Sequence, residues 1–138
     1  MYITKQGNHE DRDFIFSKVV EHNRKSLSAA PASPNEKVSF IARDEDEGII
    51  GGITGTCYWQ HMHIDFLWVD EAQRGQGIAE QLMGQMEEYA RSLKCRLMIV
   101  ETFSFQAPGF YRKQGFTEAG KIEDHPAGHS FYYFQKRL

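Results

Sequence analysis

The stretch Val69-Asp-Glu-Ala-Gln-Arg-Gly-Gln-Gly-Ile78 joins an apolar segment to an amphipathic one and decides the predicted fold. The run 64–69, interrupted only by Asp65, is typical of a buried strand. After the stretch, apolar residues recur every three or four positions, as on one face of a helix of about four turns; they are Ile78, Leu82, Met86, Ala90 and Leu93. Glycines allow a sharp turn, and the first turn of a helix offers unpaired N–H groups at its positive end. The stretch therefore predicts a site for phosphate or pyrophosphate.

Three phosphate-binding patterns can be compared with this turn. A P-loop is excluded because no Lys-Ser or Lys-Thr follows the glycines. In the dinucleotide fingerprint Gly75 and Gly77 would fit, but Glu80 stands where a third small residue is required. The pattern Gln/Arg-x-x-Gly-x-Gly/Ala fits, since it can begin at Gln73 or Arg74 and small residues occupy positions 75, 77 and 79. An ordinary glycine-containing turn is the alternative for this segment alone.

Length and composition bound the class of protein. With 138 residues, 41% hydrophobic and 25% charged, the chain predicts a single soluble globular domain over 1–138. A formal net charge of −3 argues against a nucleic-acid partner. No apolar run approaches the roughly 20 residues of a membrane span, and the first residues lack the pattern of a signal peptide. Two cysteines, Cys57 and Cys95, predict free thiols in a reducing cytoplasm, neither of them in a nucleophile motif.

The order of predicted elements is β-α-β-β-β-α-β-α-β-β, which makes an α/β fold with a mixed sheet. Strand, helix and the continuous apolar run 96–100 predict a parallel pair of strands flanking the central helix. Pro108 suits the first turn of a short helix that Gly115 would end. The predicted strands are 2–4, 38–42, 49–59, 61–69, 96–100, 116–123 and 130–136; the helices are 9–25, 78–93 and 107–114; a proline-containing loop covers 28–35.

A second motif makes the pattern specific. The segment Ala107-Pro-Gly-Phe-Tyr-Arg-Lys-Gln-Gly-Phe116 matches Ala-x-x-Phe-Tyr-x-Lys-x-Gly-Phe. Together with the glycine turn and the element order, it resembles the GNAT superfamily of N-acetyltransferases, in particular small bacterial single-domain members. The resemblance is strong over 64–116 and rests on element order elsewhere.

The resemblance implies where acetyl-CoA would bind and which group would protonate its thiolate. In that fold the two central parallel strands splay apart and the pantetheine arm enters between them, pairing with backbone groups near Trp68 and Val69. The N–H of Val69 is then the implied oxyanion donor, and Tyr111 the implied acid for the leaving thiolate. Ser104 stands where the family often has an Asn that contacts pantetheine, and Gln106 could take that role instead. The residues implied to surround the pyrophosphate are Arg74, Gly75, Gln76, Gly77, Ile78 and Ala79.

The base that deprotonates the acceptor amine is less clearly indicated. Asp65 lies in an apolar strand, where alternation would place it on one face with His61, His63, Leu67 and Val69. A carboxylate there is costly unless it is paired or used in catalysis. Glu101, at the end of the neighbouring strand, should lie near the same splay, so either carboxylate could act, directly or through a water. Alternatively, Asp65 only pairs with a histidine or a backbone amide. A His-x-His pair without further ligands does not predict a metal site.

The function predicted is acetyl-CoA-dependent N-acetylation of a primary amine on a small molecule by direct attack in a ternary complex. The alternatives are acetylation of a protein lysine or N-terminus, and a non-catalytic acyl-CoA sensor or interaction module. The chain predicts a cytoplasmic protein that binds neither nucleic acid nor membrane. Its aromatic residues near the splay and in the last strand fit either an acceptor surface or the contact face of a homodimer.

Overall fold

The computed structural model describes residues 1–5, 7–27 and 33–138, and the chain divides into two compact units, Met1–Ala32 and Ser33–Leu138. The predicted single domain over 1–138 stays a prediction. Most of the predicted loop 28–35 lies outside the described residues.

The first unit contains helix α1 (His9–Ser26), which confirms the predicted helix 9–25. The side-chain oxygen of Asn8 accepts a 2.8 Å hydrogen bond from the backbone N–H of Asp11, so Asn8 caps the helix as its residue type favours. The predicted strand 2–4 is wrong, because these residues have no regular structure. A strand needs a ladder partner, and the sheet in the described residues begins with a later strand.

The second unit holds a six-stranded mixed sheet in the order β1-β2-β3-β4-β6-β5. Strands β3 and β4 are parallel and the other neighbours antiparallel, which confirms the predicted α/β fold class and the parallel pair around the central helix. A short 3-10 turn, Glu71–Gln73, precedes that helix. The elements are β1 (Glu36–Arg43), β2 (Ile49–Tyr58), β3 (His61–Val69), α2 (Ile78–Ser92), β4 (Leu97–Phe103), α3 (Pro108–Lys113), β5 (Thr117–Glu123) and β6 (Ser130–Arg137).

Helix α2 buries its apolar stripe against one face of the sheet, as the spacing predicts. At the ends of that face, polar contacts fix the helix: the Tyr89 hydroxyl donates to Glu36 of β1, and Glu87 pairs with Lys136 of β6. The core that results includes Ile53, Met62, Ile64, Leu82, Met83, Met86, Ala90, Met98, Val100, Tyr111, Phe116 and Phe134. The second unit therefore has one continuous core, reached by residues from both of its α-helices.

Strand β3 contains a β-bulge at Asp65. In its ladder with β2, Ile64 lies opposite Gly55 and Phe66 lies opposite Thr54, which leaves Asp65 without a partner. An extra residue in one strand shifts the in-and-out alternation by one position and increases the local twist. The two ends of β3 consequently present different sets of side chains to the core.

The bulge corrects the predicted alternation along β3. Leu67 and Val69 were expected to share a face with His61 and His63, yet both pack against the core instead. Before the bulge the odd-numbered residues face away from the core, and after it the even-numbered ones do. A strictly alternating strand cannot reveal such a shift, because the extra residue is set by pairing with β2 and not by β3 alone.

The cysteines are free thiols, as predicted. Both are buried, with their Sγ atoms 3.5 Å apart. Burial, then the contact with Cys57, raises the pKa of Cys95 to about 12, which keeps this thiol protonated and unreactive.

No helix in residues 1–5, 7–27 and 33–138 has both the length and the apolarity needed to span a membrane.

Candidate active site

The parallel strands β3 and β4 separate at the bulge. They pair only through residues 61–64 and 97–100, although both strands continue beyond that point. Past it lies a cavity of about 530 Å³. Residues 65–69 of β3 form one wall, and the end of β4 with the following turn forms the other. This cavity has the place and size that the predicted splay requires for an extended ligand.

The glycine turn lies at one end of this gap. Gly75 and Gly77 have φ angles of +82° and +79°, and a Cβ on either would meet no atom within 4 Å. Gly77 is the N-cap residue of α2, so the unpaired N–H groups of that helix begin directly beside it. A second cavity of about 330 Å³, lined by residues including Arg74, Ala79 and Glu80, lies over this turn. Arg74 and Ala79 also line the first cavity, so the two cavities adjoin.

The backbone of Val69 faces the gap. The N–H of Asp70 donates to the Ile50 carbonyl of β2 at 2.8 Å, and neighbouring residues of a strand direct their polar groups to opposite edges. On the opposite edge, the Nε of Arg74 donates to the Val69 carbonyl at 3.3 Å. The amide of Val69 is therefore directed at the cavity that Arg74 lines.

Tyr111 lies on α3 at the other wall of the cavity. The residue is only 7% exposed, and its ring packs edge-on against Phe110 and Phe116. Burial raises the pKa of the Tyr111 hydroxyl, because the phenolate would lose its hydration. The side chain is therefore held in one place as a protonated donor.

Three ionisable side chains form a linked cluster where the strands part. His63 Nδ1 lies 2.7 Å from Asp65 Oδ1, and His63 Nε2 lies 2.5 Å from Glu101 Oε2. The hydroxyl of Thr56 donates to Asp65 Oδ2 at 2.7 Å. Asp65 and Glu101 both line the 530 Å³ cavity, which brings the two predicted carboxylates together at its inner end.

The carboxylates govern the charge of His63. Partial burial alone would disfavour the imidazolium, but the hydrogen bonds and charges of Asp65 and Glu101 outweigh it and raise the pKa of His63. His61, two residues earlier, shows the opposite behaviour: burial, and then the charge of His63, lower its pKa. Of these two histidines on the same face of β3, only His63 has its pKa raised, because only His63 contacts the carboxylates.

Ser104 and Gln106 occupy different surroundings after β4. The Ser104 hydroxyl accepts a 3.0 Å hydrogen bond from the Ser130 N–H and so ties β4 to the start of β6. Gln106 lines the 530 Å³ cavity, and its side-chain carbonyl accepts hydrogen bonds from the Phe103 N–H at 2.9 Å and the Thr102 hydroxyl at 3.1 Å. Of the two candidates for the missing Asn, Gln106 is the one at the cavity.

Two contributors to the site, His63 and Thr56, were not predicted as functional residues. The pattern His-x-Asp on β3 was the available signal for His63, because residues two apart share a strand face. Thr56 could not be found in this way, since its contact depends on the register of β2 against β3. Within the described ranges, no group of three or more His, Cys, Asp or Glu side chains is arranged to hold a metal ion.

Comparison with known proteins agrees with this geometry. The model of the acetyltransferase (GNAT) family matches residues 7–116. A blasticidin-S acetyltransferase from Streptomyces morookaense is 39% identical over 108 residues, which are 78% of this chain and 79% of that protein. The crystal structure of an acetyltransferase from Bacillus cereus ATCC 14579 is 44% identical, with a TM-score of 0.95 over 99% of this chain and 98% of that one.

A more distant structure, from Bacillus anthracis, is in complex with acetyl coenzyme A. It shares 23% identity and a TM-score of 0.67 over 81% of this chain and 68% of that one, so it supports the fold alone.

The fold is that of the acetyltransferases to which the chain is similar. The chain belongs to the GNAT family of acetyltransferases and is an N-acetyltransferase. Members of this family are acetyltransferases.

Proposed function

We propose that this protein transfers the acetyl group of acetyl-CoA to a primary amine of a small molecule, by direct attack within a ternary complex. The observation that carries the proposal is the gap between β3 and β4. The glycine turn, the Val69 amide, Tyr111 and two carboxylates all border this gap or the cavity that adjoins it. Such an arrangement has room for the long acetyl-CoA molecule and places candidate catalytic groups around the position of its thioester.

The donor would extend from the glycine turn into the gap between the strands. Its diphosphate would lie at the turn, where Gly75 and Gly77 leave open space beside the start of α2 and the helix dipole favours negative charge. Its amide-containing arm would lie between the strands. There Gln106 has its carbonyl oxygen engaged by the protein, which leaves its NH₂ group as the donor for the arm.

The chemistry needs three groups, and the cavity supplies a candidate for each. The Val69 N–H would stabilise the oxyanion formed when the amine attacks the thioester carbonyl. The Tyr111 hydroxyl would give its proton to the departing thiolate. An alkylammonium of pKa about 10 must first lose a proton, and the carboxylates Asp65 and Glu101 lie at the inner end of the cavity to receive it.

The acceptor proposed is a cationic small molecule. Two carboxylates face a single imidazole, so the inner end of the cavity carries net negative charge whether or not His63 is protonated, and this charge attracts an ammonium group. The relative named for blasticidin S supports a small-molecule acceptor over a protein lysine.

Donor binding is tested by thermal unfolding with and without acetyl-CoA, since a ligand of the native state raises Tm. Gly77→Asp should abolish the rise, because it adds a carboxylate where the diphosphate binds. Gly77→Asn is the matched control: it imposes similar strain at positive φ but adds no charge. An equal rise in Tm with acetyl-CoA in both variants would show that the diphosphate does not bind at this turn.

Acetyl transfer is tested by a screen of amines with acetyl-CoA, following release of the free thiol. We expect turnover with cationic small amines, and a KM for the acceptor that increases with salt. Turnover confined to acidic acceptors, or to protein lysines, would contradict the proposed substrate class.

A further inference from the structure

The link between His63 and the two carboxylates has a consequence for proton transfer. The imidazole contacts Asp65 through Nδ1 and Glu101 through Nε2, at 2.7 and 2.5 Å. Contacts this short at both nitrogens require a proton on each side of the ring. The cluster therefore holds one more proton than a neutral imidazole between two carboxylates would hold.

The two carboxylates are not equivalent within the cluster. Both oxygens of Asp65 are engaged, one by His63 and the other by Thr56. Only one oxygen of Glu101 has a hydrogen-bond partner among the described residues, and that partner is His63. Asp65 is consequently fixed, whereas Glu101 is held only by the proton that it shares with the imidazole.

Resting on the proposed acetyl transfer, we propose that Glu101 and His63 together receive the proton of the acceptor amine. Glu101 touches the ammonium, His63 stores the proton, and Asp65 is the positioning residue that fixes the imidazole through Nδ1.

The proton balance of this step is complete. When the cluster loses its extra proton to solvent water, the lone pair of His63 Nε2 faces the Glu101 carboxylate, so their contact opens and Glu101 turns toward the ammonium. One N–H bond of the ammonium breaks, and its proton is taken by Glu101 and then held between Oε2 and Nε2. The amine keeps the electron pair with which it attacks the thioester. The cluster passes from a charge of −2 to −1.

The pairing of Glu101 with His63 makes the carboxylate a better proton acceptor than it would be alone. An isolated Glu has a pKa of about 4.3 and an alkylammonium about 10.4, a mismatch of roughly six units. An efficient base has a pKa nearer the working pH. Sharing the proton with an imidazole whose pKa the carboxylates raise narrows the mismatch, and the apparent pKa belongs to the cluster as a whole.

Among the described residues, the ionisable groups near His63 lie on several strands of the sheet. On its own strand these are Asp65 and His61, and on β4 there is Glu101. Lys37 of β1 lines a cavity that His63 and Asp65 also line.

The kinetic test follows kcat against pH with one acceptor. In the wild type, turnover should rise as the pH passes upward through the apparent pKa of the cluster, because the deprotonated form is the competent one. Asp65→Asn should move this rising limb of the pH profile to lower pH while turnover persists, since the imidazole loses the neighbouring charge that raises its pKa. Glu101→Gln should lower kcat by about 10²-fold or more. His63→Gln should remove the limb.

His61→Gln is the matched control, because His61 lies on the same face of β3 but contacts neither carboxylate. Its pH profile should coincide with that of the wild type. A second acceptor of different amine pKa identifies any limb that belongs to the substrate. The proposal is overturned if Asp65→Asn abolishes turnover while Glu101→Gln retains it, or if Asp65→Asn leaves the limb in place.

An NMR titration of the labelled histidines tests the cluster without turnover. His63 should titrate above 6.5 in the wild type and at lower pH in Asp65→Asn. A His63 that titrates at or below 6.5 in the wild type would overturn the proposal. Failure of the proposed function looks different: the wild type would then acetylate no amine in the screen.

Discussion

The two halves of the β3–β4 strand pair differ: the first is hydrogen-bonded and packs against the core, and the second is open and borders the cavity. Residues 61–64 and 97–100 pair in parallel, and Met62, Ile64 and Met98 are almost fully buried between them and α2. Beyond the bulge the strands part, and Phe66 and Trp68 become exposed beside a cavity. One inserted residue separates the half whose core-facing side chains stabilise the fold from the half that opens into the cavity.

The first prediction contrasts substitutions on either side of the bulge. Met62→Ala should lower the free energy of unfolding by about 2–5 kcal/mol, because it leaves a hole in a fully buried position. Phe66→Ala, at a residue 77% exposed, should change it by about 0.5 kcal/mol or less. Denaturant unfolding measures both, and similar losses would show that the two halves do not divide stability and function.

The second prediction concerns Tyr111, which borders the open half. Tyr111→Phe keeps the ring in its packing against Phe116 and removes only the hydroxyl. If that hydroxyl protonates the thiolate, kcat should fall by about 10²-fold while acetyl-CoA still raises Tm. Turnover at the wild-type rate would show that the Tyr111 hydroxyl is not the catalytic acid and that the side chain serves only in packing.

The third prediction separates the two candidates for the pantetheine contact. Gln106→Glu keeps an oxygen for the Phe103 N–H but loses the amide donor, so the KM for acetyl-CoA should rise by roughly 5–10-fold, as for one lost hydrogen bond. Ser104→Ala, which removes only the contact with Ser130, is the control and should leave this KM unchanged. The reverse pattern would assign the contact to Ser104.

The fourth prediction concerns stability against pH. Because the folded-state pKa of His63 is raised, its imidazolium stabilises the fold fully below its unfolded pKa of about 6.5, and this contribution is lost as the pH rises through the raised value. The Tm difference between wild type and His63→Gln should therefore shrink with increasing pH. A difference that grows instead would mean that His63 is neutral in the fold.

The sequence predicted the elements with strong periodicity and specific caps. Helix α2 follows from its apolar spacing, and the turn before it follows from Gly75 and Gly77, whose positive φ angles only glycine adopts without strain. The bulge at Asp65 was not predicted. The bulge depends on the register of β3 against β2, and this register cannot be deduced from the sequence of either strand alone.

The site was predicted unevenly for the same reason. Tyr111 and the glycine turn belong to contiguous motifs, so their positions followed directly from the chain. Glu101 was expected near Asp65 because it would end the strand that neighbours the strand of Asp65. The bridge that His63 makes between them needs distances of 2.5 to 2.7 Å, which only the folded register provides.

The most direct test of the central claim is amide hydrogen exchange, followed by NMR with and without acetyl-CoA. If the donor lies between the parted strands, it should slow exchange at Trp68, Val69 and the first turn of α2, and leave residues 61–64 and 97–100 unchanged. Equal protection of both halves, or none beyond Asp65, would contradict the assignment of the gap as the donor site.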